Sequence, residues 1–292
     1  MRTIKSATDL QTTKQATVDG FAWQAEAKSM RANEFDEVAE YFRKRSKSIE
    51  NHQQFCEDPI LYRFAVAACS LSRKSLNHLS KVEVLGILRK LIDIEKFNDD
   101  AYLQRLEGRY FLTCGDSLGG SMRNVIGQVA QNRLTELIAE HARNRHGRVL
   151  AATTKTGKIT SLIWSDRTMI FDKKPKFINK SVDLILLAGE HTDLVKAIEN
   201  PANYLLAGEL KGGIDPAGAD EHWKTARSAL DRINDAFEKQ DRVPPLSVFV
   251  GAAIEASMAV EIFDRMASAN FLAANLTKED QMIEVVDHIT RL

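Results

Sequence analysis

The chain has 292 residues, 44% of them hydrophobic, and its 40 basic and 40 acidic side chains give a formal net charge of zero. This length is enough for one large domain or two smaller ones, and no run of about 18 apolar residues predicts a membrane-spanning helix. A zero total does not exclude a nucleic-acid-binding protein, because an acidic exterior can balance a basic inner surface. Metal-binding spacing is absent among the three cysteines, Cys56, Cys69 and Cys114. Cys56 and Cys69 lie in or near apolar helical sequence and are typical of buried, reduced thiols.

The N-terminal third is predicted to begin with a loose arm and to continue as packed helices. Residues 1–20 are polar and aperiodic, and they lack the apolar stretch of a signal peptide, so we expect a cytoplasmic protein. Residues 33–105 have helical periodicity. Asn33 is suited to cap the first of these helices, Asp58 stands before a proline as an N-cap often does, and Ser80 begins a capping-box sequence.

A segment containing glycines separates these helices from a further long helix. Residues 114–124, with the sequence CGDSLGGSMRN, are expected to interrupt the helical pattern. The next helix carries apolar residues from Met122 to Ile138 and ends near Gly147, after the basic sequence HARNRHGR. The arginines of that sequence are equally suited to phosphate contact and to a solvated surface.

The pattern changes after Gly147 to short strands that alternate with helices. Strands are predicted at Val149–Thr154, Thr168–Phe171, Val182–Leu187, Tyr204–Leu210 and Leu246–Ala252. Helices are predicted at Asp193–Ile198, Ala219–Phe237 and Ala256–Ala267. Such alternation predicts an α/β (α+β) layer. We therefore expect a mainly helical region over residues 1–110 and an α/β core over residues 111–292.

Two of the predicted strands carry charges at their ends. Asp183 lies at the start of the apolar run SVDLILLAGE, and Glu209 and Lys211 end the run NYLLAGELKGG. Because side chains alternate along a strand, Glu209 and Lys211 project from one face, and pairing of the two strands would bring Asp183 to them. Two carboxylates can hold a hard cation such as Mg²⁺, with the Leu210 carbonyl as a further ligand. An ammonium beside them can position a water or stabilise developing charge, so the cluster suits phosphodiester hydrolysis.

Two similar charge patterns compete with this one, and a solvated charge pair at a strand end is the alternative interpretation of it. The segment Glu26–Lys28 lies in polar sequence without a strand partner. The segment Asp172–Lys174 has Asp166 upstream, but no buried strand leads to it. Only the third pattern combines an upstream strand aspartate with an apolar strand that ends in E-x-K.

The sequence after Lys211 supplies further candidates. Gly212 and Gly213 would let the backbone come close to a large ligand. Asp215 could accept a hydrogen bond from a cytosine amino group, or it could simply cap a turn. His222, near the start of the next helix, could act as an acid or base or contact a phosphate, although a lone histidine can also be structural.

Basic side chains near this cluster are candidates for contacts with DNA. Four lysines come just before the strand of Asp183: Lys173, Lys174, Lys176 and Lys180. Their place favours phosphate or guanine contact over a solvated face. Arg123 and Asn124 are residue types that read guanine and adenine, or they could hold the glycine segment in place.

At these residues the sequence resembles the AvaI/BsoBI family of type II restriction endonucleases. The resemblance is carried by GELKGGIDPAGADEHWKTA over residues 208–226, by INKSVD over 178–183 and by GDSLGGSMRN over 115–124. The matching residues are most frequent over roughly residues 110–255. The resemblance implies a restriction-endonuclease-like mixed sheet flanked by helices, with the N-terminal region, residues 1–110, embracing DNA or forming the dimer.

The resemblance also implies an activity and assigns roles to residues. It implies a Mg²⁺-dependent bacterial homodimer that cuts double-stranded DNA at the palindrome C-Y-C-G-R-G and leaves 5′ overhangs. The residues that match the family's site are Asp183, Glu209 and Lys211 for the catalytic D…E-x-K, His222 for an additional active-site histidine, and Lys180 and Asp215 for base-contacting positions. Val182 departs from the proline of the wider P-D pattern. A structure-specific or repair nuclease on the same core and a non-catalytic DNA-binding scaffold are the alternatives.

Overall fold

A computed structural model describes residues 3–292, apart from the side chain of Arg73. The helices are α1 (Ala7–Leu10), α2 (Lys14–Arg45), α3 (Gln53–Glu57), α4 (Pro59–Ala68), α5 (Arg73–Leu76), α6 (Lys81–Leu91), α7 (Asp100–His146), α8 (Leu194–Ala197), α9 (Ala219–Glu238), α10 (Ala256–Ser268) and α11 (Glu279–Ile289). The strands are β1 (Val149–Thr153), β2 (Ile159–Trp164), β3 (Arg167–Lys173), β4 (Val182–Ala188), β5 (Tyr204–Lys211), β6 (Leu246–Gly251) and β7 (Phe271–Asn275). Within residues 3–292, none of the helices has the length and apolar character needed to cross a bilayer.

The chain divides into two compact units. A helical unit comprises Ala22–Asn124, and a sheet unit comprises the residues up to Phe21 together with Val125–Leu292. The core of the helical unit is rich in aromatic rings, with Phe42 stacked on Phe64 at a centroid distance of 3.7 Å. Residue 110, where the sequence pattern places a boundary, lies inside α7.

Two helix starts in the helical unit follow the predicted capping chemistry. The Asp58 side chain accepts hydrogen bonds from the backbone N–H groups of Ile60 and Leu61, ahead of Pro59 at the first turn of α4. Ser80 and Glu83 form a reciprocal capping box at the start of α6. Both contacts satisfy backbone donors that a helix start leaves unpaired.

Over the described residues, the sheet unit is built on seven strands in sequence order from β1 to β7. Neighbours from β1 to β5 are antiparallel, and the β5–β6 and β6–β7 pairs are parallel. Parallel neighbours need a crossover connection, which α9 and α10 supply. In the antiparallel β4–β5 pair Leu184 stands opposite Gly208, so the start of β4 lies beside the end of β5.

Alternate side chains of the sheet contribute to a separate apolar core on each face. Ile185 and Leu187 belong to the core that includes α9 and α10, whereas Leu184 and Leu186 belong to the core that includes the end of α7 and α11. Asp183 is two residues from Ile185, so it lies on the α9 face of the sheet. The mixed α/β fold is confirmed.

The strands that the sequence pattern predicts are all present, but the pattern does not predict β2, β7 or α11. The β2 sequence, ITSLIW, has its polar residues only at one end, and the β7 sequence, FLAAN, is five residues long and rich in alanine. Neither shows sustained alternation, because both faces of these strands are at least partly covered.

The expectation of a loose N-terminal arm is wrong. Residues 7–10 form α1, and α2 begins at Lys14 and passes Asn33 without a break, so Asn33 caps no helix. The sequence of α2 is rich in alanine, glutamate, lysine and arginine, which favour a helix by intrinsic propensity without an amphipathic pattern.

The expected interruption at residues 114–124 is also wrong, because this segment lies within α7. A Cβ at Gly115, Gly119 or Gly120 would meet nothing within 4 Å. Each of these glycines therefore lowers the stability of the helix by only about 1 kcal/mol relative to alanine, through its weaker helix propensity. The buried side chains of Tyr110 and Met122, on either side of them, anchor the helix by packing.

Candidate active site

The charges predicted at two strand ends come together in the structure. Asp183 at the start of β4 and Glu209 near the end of β5 lie on adjacent strands. The Lys211 Nζ lies 2.9 Å from the Glu209 Oε2 and 3.9 Å from the Asp183 Oδ2. The backbone N–H of Leu210 donates a 2.8 Å hydrogen bond to the same Asp183 oxygen. The strand that carries E-x-K therefore also orients the aspartate of its neighbour.

The Asp183 and Glu209 carboxylates lie where water solvates their charges poorly. Glu209 is buried, at 4% exposed, while the Asp183 side chain is 27% exposed. Burial, and then the neighbouring Asp183, raise the pKa of Glu209 to about 7. Burial likewise raises the pKa of Asp183. One lysine shared by two carboxylates leaves an excess of negative charge, which a cation would stabilise.

The donor set fits a hard divalent cation such as Mg²⁺. Asp183 and Glu209 offer carboxylate oxygens at the edge of a cleft that opens to solvent. Across residues 3–292, no group of three or more acidic, histidine or cysteine side chains forms a metal cage. Mg²⁺ is commonly bound by only one or two carboxylates, with water and substrate phosphate oxygens as its other ligands.

The competing D-x-K segment proves to be next to the site rather than a second site. The expectation that no buried strand leads to this segment is wrong, because residues 168–171 of β3 are buried. Asp172 interrupts the end of that strand in a left-handed conformation, with φ of 51°. Its carboxylate lies 2.5 Å from the Lys158 Nζ. The negative charge of Asp172 adds to burial in raising the pKa of Asp183. The upstream Asp166 pairs with Arg167, and the other competitor, Glu26–Lys28, lies within α2.

The two glycines after Lys211 are required by close packing. A Cβ on Gly212 would overlap the Ala130 Cβ on α7, and a Cβ on Gly213 would lie 2.5 Å from the His222 Cε1. His222 lies on the first turn of α9, and its Nδ1 is buried without a hydrogen-bond partner among the described residues. Burial, and then the charge of Lys211, lower the pKa of His222. The imidazole is therefore neutral near pH 7 and able to accept a proton.

Replacing Gly213 with alanine is expected to displace His222 and to slow the phosphodiester cleavage that the sequence predicts by about 10²-fold, the usual cost of misplacing an active-site group by about 1 Å. Single-turnover cleavage and thermal melting would measure the effect. The matched control is Gly86→Ala in α6, where a Cβ meets nothing within 4 Å; there we expect unchanged cleavage and a gain of about 0.5–1 kcal/mol in stability. Cleavage by Gly213→Ala at the wild-type rate would remove His222 from the mechanism.

A cleft of about 510 Å³ opens above the carboxylates. Its lining comes from the start of β4, the end of β5 and one edge of α9: Lys180, Ser181, Asp183, Glu209, Glu221, Lys224, Thr225, Ser228, Ala229 and Arg232. Opposite this edge, α9 buries Trp223 against Phe249, with ring centroids 5.1 Å apart. This packing fixes the helix over the sheet, so its polar edge faces the carboxylates.

The structure brings some of the predicted DNA-contacting residues to this cleft and leaves others outside its lining. Lys180 lines the cleft. Asp215 caps a 3₁₀ turn, Pro216–Gly218, by accepting a 3.0 Å hydrogen bond from the Ala217 N–H. The exposed side chains of Arg123 and Asn124 lie on α7 in the helical unit.

The lysines before β4 differ in their surroundings. Lys173 ends β3, opposite Val182. Lys174 and Lys176 are exposed in the loop that follows, where the backbone N–H of Lys176 donates to the Glu199 carboxylate. The side chains of Lys174 and Lys176 remain available to a ligand.

The sequence interpretation missed the cleft-lining edge of α9. Thr225, Ser228 and Arg232 are spaced by three and four residues, so they lie along one side of the helix. The available signal was this spacing downstream of His222. It could not be used without knowing which side of α9 faces β4 and β5.

Known proteins and one family model are similar to this chain over nearly its whole length. A sequence model of the family described as "Restriction endonuclease BsobI" matches residues 1–292. The type II restriction enzyme AvaI of Nostoc sp. is 36% identical over 302 residues, covering 96% of this chain and 95% of that protein. AvaI of Anabaena variabilis matches to the same extent. The type II restriction enzyme BsoBI of Geobacillus stearothermophilus is 33% identical over 313 residues, covering 96% of this chain and 94% of its own length.

Proposed function

Because the chain belongs to the restriction endonuclease BsobI family of type II restriction enzymes, we propose that it cuts double-stranded DNA with Mg²⁺ at a short palindrome. The target we propose is C-Y-C-G-R-G, cut to leave 5′ overhangs. A palindrome matches a homodimer in which each subunit reads one half-site. In a bacterial cytoplasm such an enzyme would act on DNA that lacks protective methylation.

The observation that carries this proposal is the convergence of Asp183, Glu209 and Lys211, with both carboxylates lining the cleft. Asp183, Glu209 and the Leu210 carbonyl would hold Mg²⁺. When bound, the cation supplies charge neutralisation at the phosphate and lowers the pKa of an attacking water.

The chain's own residues would do the rest of the chemistry. The Lys211 ammonium, held by both carboxylates, would orient the attacking water and stabilise negative charge on the phosphate oxygens. His222 is neutral and lies near Lys211, so it would take up or return a proton or donate a hydrogen bond to phosphate. Burial of Glu209 keeps water from weakening these interactions.

Recognition of DNA is assigned to residues around the cleft and in the helical unit. Lys180 and Asp215 would contact base edges, as would Arg123 and Asn124. Three lysines before β4 would contact phosphates: Lys173, Lys174 and Lys176. Residues 1–110 would embrace the DNA, form the dimer, or both.

Digestion of a long unmethylated DNA with Mg²⁺, followed by sequencing of the fragment ends, tests the function. Discrete fragments that share C-Y-C-G-R-G at their ends are expected. Smears or nicks without a shared sequence would identify a structure-specific nuclease instead. An absence of cleavage with any divalent metal would favour a DNA-binding scaffold and contradict the proposal.

A further inference from the structure

Arg232 is a basic side chain at the cleft whose donors are not all satisfied by the protein. It lies on α9 and lines the cleft together with Asp183 and Glu209. Its Nε is buried and has no hydrogen-bond partner among residues 3–292. Buried donors are nearly always paired, because leaving one without an acceptor costs free energy. The unpaired guanidinium N–H, at the wall of the cleft, is therefore placed to donate to a ligand that supplies an acceptor.

Nearby cations of the same helix are neutralised by the protein itself. The Lys224 Nζ lies 2.6 Å from the Asp220 carboxylate, and the Arg227 Nη1 lies 3.0 Å from the Glu261 carboxylate. Arg232 belongs to no ion pair of this kind within the described part of the chain. A positive charge that makes no direct ion pair in a cleft is suited to binding an anion.

The surroundings of Arg232 define what kind of anion fits. Thr225 and Ser228 precede it along the same edge of α9, and these short hydroxyl side chains leave room and offer further hydrogen bonds. Burial and Asp183 raise the pKa of Glu209, while Lys211 and then Arg232 oppose them. The guanidinium is thus close enough to act on the Glu209 charge while its Nε stays free to donate.

We propose that Arg232 binds the DNA phosphate at the scissile bond, opposite Lys211, and stabilises the negative charge that develops on its oxygens. A guanidinium can donate two parallel hydrogen bonds to phosphate oxygens, which a lysine cannot do. Lys211 then acts from the strand and Arg232 from the helix, on either side of the reacting phosphate. This inference rests on the proposed nuclease function and adds a substrate-binding residue to it.

Arg232 could instead serve only to balance the charge of Glu209, and the two roles differ in what they predict. A purely electrostatic partner of Glu209 would affect folding stability but would not contact DNA. A phosphate contact contributes to the salt dependence of DNA binding, because each contact releases counterions from the DNA. Removal of such a residue should leave the fold intact, since its Nε makes no hydrogen bond within the protein.

The test compares Arg232→Gln, Arg232→Met and Arg232→Lys with wild-type protein and with Arg227→Gln, a control that replaces a paired arginine on the same helix. We expect Arg232→Gln to slow single-turnover cleavage by about 10²–10³-fold, the usual effect of removing one charge-stabilising donor. In Ca²⁺, the slope of log Kd against log salt should fall by about one for each phosphate that the variant no longer binds. Arg232→Lys should recover part of the rate, and all variants should melt at the wild-type temperature.

Several outcomes would overturn the inference. Cleavage and a salt slope equal to those of Arg227→Gln would show that Arg232 does not contact phosphate. Loss of the fold in both Arg232→Gln and Arg232→Met would show that the arginine is needed for stability instead, because methionine keeps its unbranched apolar stem. If the wild-type protein itself cuts no DNA, the proposed function fails, and the salt slopes still decide whether Arg232 binds phosphate.

Discussion

Replacing Lys211 with alanine is expected to slow single-turnover DNA cleavage by at least about 10³-fold, because the ammonium is the positive charge that the protein places beside both carboxylates. Specific DNA binding should survive. One lysine adds little to an interface that contains many phosphate contacts, and its removal leaves the strand that carries it unchanged. Cleavage of a duplex with the target sequence and a gel-shift titration of the same duplex would measure the two effects.

The matched control for Lys211→Ala is Lys196→Ala. Lys196 lies on α8 with 88% of its side chain exposed, paired with Asp193, and we expect its replacement to change neither cleavage nor binding. Cleavage within tenfold of the wild-type rate by Lys211→Ala would remove this lysine from the mechanism. Parallel loss of binding and cleavage would make Lys211 a DNA-binding residue rather than a catalytic one.

Replacing Glu209 with glutamine is expected to abolish cleavage, by at least about 10³-fold, and to remove the stabilisation that Mg²⁺ gives to the fold. A cation that binds only the folded protein adds about 2.7 kcal/mol to the free energy of unfolding at 100 times its Kd. Wild-type protein should therefore melt at a higher temperature in excess Mg²⁺, and Glu209→Gln should show a much smaller rise. Without metal, the variant should melt no lower than wild type, since it removes the buried one of two neighbouring carboxylate charges.

Melting curves recorded over a Mg²⁺ titration, without DNA, would measure how much bound Mg²⁺ stabilises the fold, independently of cleavage activity. The control is Glu190→Gln, in which the replaced carboxylate is exposed beyond the end of β4. It should behave as wild type in both assays. An equal rise in melting temperature for wild type and Glu209→Gln would mean that Mg²⁺ is not bound through Glu209.

The site could be predicted from the sequence because it depends on charged residues at the ends of two apolar strands. Apolar strands that begin or end on a charge place that charge at a sheet edge, and the β4–β5 pairing then brings Asp183 to Glu209 and Lys211. The sequence could not identify Arg232 in the same way. Its role depends on which side of α9 faces the cleft, and this side is set by packing of Trp223 and its neighbours in the core.

Helix continuity was the weakest part of the prediction. Glycines at residues 115, 119 and 120 lower helix propensity, but α7 is held by buried side chains on either side of them, such as Tyr110 and Met122. The start of α2, which the sequence pattern predicts as a loose arm, was missed for a different reason. The part of α2 before Asn33 has no amphipathic period to detect, and only its composition favours a helix.

The close approach of Gly212 to Ala130 has a consequence for how this sequence can change over time. Ala130 has no chemical group that could take part in the reaction, yet it is 4% exposed and fills the space that a Cβ on Gly212 would need. A larger residue at either position would push the backbone next to Lys211. The two positions are therefore expected to vary together, with a larger residue at one accepted only where the other leaves room for it.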